Sequence, residues 1–164
     1  MNTIAARIAA PPARRFIAPI VTGGLIAGAI DLTYAFTYHG ITSHIAPARI
    51  LQSIASGLLG MAAFDGGMTA AAVGFVSHFM ILIGAAAIYC AASRRFAFLR
   101  DRAYLSGMIF GIGIYATMHL IVLPLSAAPQ FKSSWPGTIT DFAVHVLLLG
   151  PAVALTIRRF DRSH

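Results

Sequence analysis

Five ionisable residues interrupt stretches of this chain that are otherwise apolar: Asp31, His78, His119, Asp141 and His145. An ionisable side chain in such surroundings is costly unless it meets protein, water or a ligand. Asp141 precedes His145 by four residues, so on a helix the two share a face. A carboxylate at that spacing can accept a hydrogen bond from the imidazole and fix its tautomer. Three chemistries fit these residue types. His78, His119, His145 and Asp31 form a ligand set suited to zinc or another divalent metal. Histidines on two helices of a bundle can hold haem b. Asp31 and the histidines can also pass protons, coupled to a small solute. Beside these stands the structural use of such groups, as hydrogen-bond partners between helices. For His119 and His145 taken singly, that use is the favoured reading. No Ser-His-Asp or Cys-His arrangement proposes a hydrolase, and the chain has no glutamate, which removes the paired-Glu chemistry of di-iron bundles. The expected protein is therefore non-enzymatic and needs no cofactor, with a haem- or metal-binding redox protein as the alternative.

The stretches that carry these residues define the architecture. Hydrophobic residues make up 58% of the 164 and charged residues only 10%, well below the soluble norm of about 25% charged. That balance cannot coat a water-soluble surface. Spans are expected at about 16–38, 67–91, 103–126 and 139–157, each near the roughly 20 apolar residues that cross a bilayer. Asp31, Tyr34 and Tyr38 share one face of the first span. A short helix over about 48–64 combines Ile50, Ile54 and Leu58 at helical spacing with Gln52, Ser53 and Ser56. Its length and composition suit an interfacial or re-entrant segment. Asp65 is placed to cap the second span. Small-xxx-small pairs, Gly24/Gly28 and Gly107/Gly111, point to close packing between spans one and three. The fold class is thus all-α: an integral membrane four-helix bundle over 16–158 with one additional short helix between spans one and two. A basic leader, 1–15, precedes it and a basic tail, 159–164, follows.

Charge sets the threading. Of the 12 Lys and Arg residues, ten fall in the leader, in the Ser93–Arg102 loop and at the C-terminal end; only Arg49 and Lys132 lie on the other side. Both termini and the Arg-rich loop should then be cytoplasmic, in the inner (plasma) membrane of a bacterium. This threading brings Asp31, His78, His119 and His145 to one level, roughly 9 to 18 Å below the outer boundary. The formal charge of +7 needs no nucleic acid, because the basic residues flank spans, where anionic lipid headgroups are their natural partners. A homo-oligomer is compatible with the small size. Cys90 is the only cysteine, so no intramolecular disulfide is possible. His39 and His44 fall in the outer connection, and His164 ends the tail.

The segments ILQSIASGLLGMAAFDGG, VSHFMILIGAAAIYCAASRR and GMIFGIGIYATMHLIVLPLSAAP resemble small four-span bacterial inner-membrane proteins of uncharacterised role, and more distantly the YagU-like inner-membrane proteins. The resemblance covers about residues 20–157. It places His78, Pro124, Leu125, Ser126 and His145 at positions typical of the pattern. It also puts Asn where this chain has His119, which implies a hydrogen-bonding role there. The resemblance carries topology but no chemistry.

Overall fold

The computed structural model describes residues 12–129 and 134–162. The leader up to residue 11, Lys132 and His164 lie outside the described residues. Every element among those described is helical. Helix α1 covers Pro12–Ser43 among the described residues. It continues past the expected end near Tyr38 because no strong breaker follows until His44, which takes a positive φ of 53°, and Pro47. Helix α2 covers Pro47–Leu59 and passes into a 3-10 turn, Gly60–Phe64. Helix α3 covers Gly67–Arg95 and short α4 covers Ala97–Asp101. Helix α5 runs over Ala103–Leu125, and α6 occupies 135–162. The first residue before α3 is Gly66, and no side chain caps that helix, so Asp65 does not serve as its N-cap.

Four helical segments are long and apolar enough to cross a membrane: Phe16–Ser43, Gly67–Arg95, Ala103–Leu125 and Trp135–Asp161. Together they fit a multi-pass integral membrane protein. Their outward faces agree, with Phe75, Met80, Ile88, Ile109, Leu120 and Leu148 all exposed. In water these side chains would be a liability; in lipid tails they are solvated.

Small residues decide which helices touch. A Cβ on Gly24 would strike the Ile83 backbone, and one on Gly28 would lie 2.7 Å from the Phe79 ring. The glycines of α1 therefore seat α3. A Cβ on Gly107 would lie 2.6 Å from Pro151 Cα, and one on Gly111 would overlap the His145 carbonyl. The glycines of α5 therefore seat α6. This corrects the expectation that spans one and three pack together: they sit across the bundle from one another, each against a sequence neighbour. Helix α6 also packs on α1, while α3 and α5 meet through side chains near the Arg-rich loop. There Tyr89 Oη lies 2.7 Å from Ser106 Oγ and donates to the Leu99 carbonyl at 2.9 Å. The apolar core, including Leu82, Ala86, Leu149, Val153 and Ile157, fills this half of the bundle.

Helix α2 leans on α3. Its buried face is small and polar, with Gln52, Ala55 and Ser56 inward, whereas Leu58 is 68% exposed. The Ile50–Ile54–Leu58 stripe therefore only begins the contact. Gly74 admits the α2 backbone at Leu51 and Ala55. Gln52 donates to the Gly67 carbonyl at 3.0 Å, and Ala127 N–H donates to the Gly57 carbonyl at 3.0 Å. Helix α2 thus reaches from the start of α3 to the end of α5.

Candidate functional site: the Asp/His layer

The four spans bring Asp31, His78, His119, Asp141 and His145 into one connected cluster. In α1, Gly28 leaves room for α3, and its bare carbonyl accepts a hydrogen bond from His78 Nε2 at 3.2 Å. The same nitrogen lies 3.7 Å from Asp31 Oδ2. His78 is 6% exposed and its ring stands edge-on to Phe79. Asp31 continues the cluster to α6: its carboxylate, that of Asp141 and one ring nitrogen of His145 all lie within 4.8 Å of one another. His119, from α5, closes the far end with Nε2 3.6 Å from Asp141 Oδ2.

The two histidines of α5 and α6 are held alike. His145 Nδ1 donates to the Asp141 main-chain carbonyl at 2.9 Å and lies 3.2 Å from Asp141 Oδ1. His119 Nδ1 donates to the Tyr115 carbonyl at 3.0 Å. A carbonyl oxygen only accepts, so Nδ1 carries the hydrogen in both rings, and Nε2 is the lone-pair nitrogen when the ring is neutral. The backbone explains the repetition. His119 lies in a π-helical turn, Met118–Val122, and His145 opens another, His145–Leu149. Each turn ends two residues before a proline, Pro124 or Pro151. Proline lacks the N–H that would bond four residues back and crowds that carbonyl, and π-turns gather at functional sites.

Tyr115 joins the pair, with its ring stacked on His119 at 4.0 Å between centroids and edge-on to His145 at 5.6 Å. It meets the layer through its ring face. Tyr34 lies beside the layer, its hydroxyl 2.8 Å from Thr140 Oγ1. An open groove of about 680 Å³ runs along α1 and α6 past Thr33, Tyr34, Thr37, Tyr38 and Thr140. None of the acids or imidazoles of the layer lines that groove.

Electrostatics define what the layer can do. Two carboxylates within 4.8 Å repel by about 3 kcal/mol at an effective dielectric near 20 when both are ionised. A shared proton, an imidazolium or a bound cation removes that repulsion. Burial is graded along the cluster: His78 and His145 are buried, Asp31 and Asp141 are half-buried, and His119 is exposed. His39 lies in the last turns of α1, and His44 just after it adopts the left-handed conformation common after a helix end; neither joins the layer. Cys90 is buried in the core.

The residue types of the layer were readable from the chain, but the Gly28 carbonyl as partner of His78, the seating of Gly111 on His145 and the two π-turns were not. A usable signal existed in the spacing from His119 to Pro124 and from His145 to Pro151, a histidine one to two turns before a proline of the same span in each case. Comparison with protein-family models, with curated proteins and with solved structures gave no match in any of the three.

Proposed function

We propose that this chain is a non-enzymatic protein of a bacterial inner membrane whose Asp/His layer takes up a proton or another small cation. The observation that carries this reading is the meeting of Asp31, Asp141 and His145 within 4.8 Å, between helices that otherwise present apolar faces to lipid. A bundle that needed only interhelical hydrogen bonds would not place two carboxylates side by side. The basic clusters support cytoplasmic termini and contacts of the Arg94–Arg102 loop with anionic headgroups. In that orientation the layer lies in the outer half and α2, across the outer ends of α3 and α5, is interfacial. Haem b gains less support, because the His78 imidazole is turned onto the Gly28 carbonyl and Asp31 of α1, and the His145 imidazole onto the carbonyl and carboxylate of Asp141 in its own helix.

The test is proton and cation uptake by protein in detergent or nanodiscs, comparing the parent with Asp31→Asn and Asp141→Asn. A pH-indicator titration, repeated with added cations, should show uptake in the parent that either substitution reduces. Equal uptake in all three proteins would leave the layer a packing device.

A further inference from the structure

We propose that the cation of this layer is a divalent transition metal of the zinc class, held by Asp31, Asp141 and His145, with His119 at the rim and His78 orienting Asp31. This rests on the cation-binding reading above and narrows it. Charge comes first. With neutral imidazoles the two carboxylates carry a charge of −2, which a divalent ion cancels and a single proton or alkali ion does not. Cancellation matters at this depth, because a net charge in the bilayer interior is heavily penalised.

Ligand chemistry comes second. Metal-binding histidines characteristically donate the hydrogen of one ring nitrogen to a carbonyl or carboxylate and bind through the other. His145 and His119 are both in that state already, their Nδ1 atoms engaged by the Asp141 and Tyr115 carbonyls. Nε2 carries the lone pair on each neutral ring, with no change of tautomer required, and on His119 it already faces Asp141 Oδ2 at 3.6 Å. Imidazole beside carboxylates suits zinc and its neighbours, whereas magnesium and calcium take oxygen-rich sets.

Reach comes third. Ligands of a tetrahedral zinc lie about 3.4 Å apart, given bond lengths near 2.1 Å. One ring nitrogen of His145 and one oxygen of each carboxylate lie within 4.8 Å of one another; Asp141 Oδ1 is 3.2 Å from Nδ1, so binding through Nε2 also asks the Asp141 side chain to rotate toward that nitrogen. Three protein ligands leave a fourth position, the open arrangement of exchangeable zinc sites. His119 is the candidate for that position, 3.6 Å from Asp141 and the most exposed of the five. His78 is bonded to the Gly28 carbonyl and approaches only Asp31, so it positions that carboxylate rather than binding the ion.

The experiment is equilibrium loading of full-length protein in detergent with Zn²⁺, read by elemental analysis after desalting, and with Co²⁺, read by its visible bands. The expected result is one ion per chain, lost in Asp141→Asn and in His145→Ala and retained in His39→Ala. His78→Ala should keep the stoichiometry but weaken affinity by about 10- to 100-fold, with His78→Gln restoring part of it. His119→Ala should still bind Co²⁺ but change its bands. Each variant is first checked for an unchanged elution profile, and Asp141→Asn, nearly isosteric, covers the case in which His145→Ala does not fold. Absence of Zn²⁺ and Co²⁺ from a well-folded parent that still takes up protons through Asp31 and Asp141 would overturn the metal assignment and leave the broader reading standing. Absence of both metal and proton uptake would remove both. Binding that survives Asp141→Asn and His145→Ala together would also overturn it.

Discussion

Gly111 of α5 lies so close to His145 of α6 that a Cβ on it would overlap the His145 main-chain carbonyl and approach Val146 Cα to 3.0 Å. A packing contact and a site residue are therefore one feature. Without a hydrophobic force between helices in lipid, close backbone approach is what associates them. At Gly111 that approach also fixes the depth and rotation of the His145 imidazole. One turn toward the Arg-rich loop, Gly107 and Gly150 repeat the contact, backbone on backbone.

Gly111→Ala should destabilise the bundle, by about 1 to 3 kcal/mol for overpacking a tight contact. Gly113→Ala, two residues on, meets nothing within 4 Å and should be neutral or slightly stabilising. Cys90 offers the readout, since it is the only thiol and is 3% exposed. Thermal unfolding followed with a thiol-reactive dye should show a lower midpoint for Gly111→Ala than for Gly113→Ala. Equal midpoints would contradict the contact.

The span positions were legible because apolar length is a strong signal, and so was the common level of Asp31, His78, His119 and His145, which follows from threading and helix rise. Pairing was not legible. Gly24/Gly28 and Gly107/Gly111 announce a close neighbour without naming it, and the neighbours proved to be α3 and α6. The buried face of α2 was not legible for a related reason. In a soluble helix Leu58 would mark the core side, but in a membrane protein the large apolar residues face lipid, and Ala55 and Ser56 face protein. The π-turns escaped because they change the helical period that pattern reading assumes.

Docking of α2 depends on Gly74, where any side chain would strike the Leu51 carbonyl. In a Cys90→Ser background, single cysteines along Ile50–Phe64 should divide by face. Positions 55 and 56 should resist a membrane-impermeant maleimide, and positions 58 and 61 should react if the helix lies in the outer interface. Adding Gly74→Leu should expose 55 and 56. Uniform protection of all four positions before that substitution would place α2 within the membrane instead.

Orientation follows from the basic clusters and can be read without purification. Fusion of a fluorescent protein to the C-terminus should give fluorescent cells, and alkaline phosphatase fused there should be inactive. Phosphatase inserted after Ser43 should be active. The reverse pattern would invert the bundle and place the Asp/His layer in the inner half.

The remaining weak point of the bundle is the seam between α3 and α5, which rests on Tyr89. Its hydroxyl lies 2.7 Å from Ser106 Oγ and donates to the Leu99 carbonyl, which Ser106 Oγ also reaches at 3.0 Å. Three polar atoms thus satisfy one another where two spans and the α4 turn converge. Tyr89→Phe and Ser106→Ala should each cost about 1 kcal/mol. The double variant should cost less than their sum, with a coupling near 0.6 kcal/mol, the average found for hydrogen bonds between membrane helices. Midpoints from the Cys90 dye assay, taken on all four proteins of the cycle, provide the measurement. Strict additivity would mean that the two hydroxyls act independently, leaving the Tyr89–Phe110 ring contact, 5.0 Å between centroids, to hold the seam.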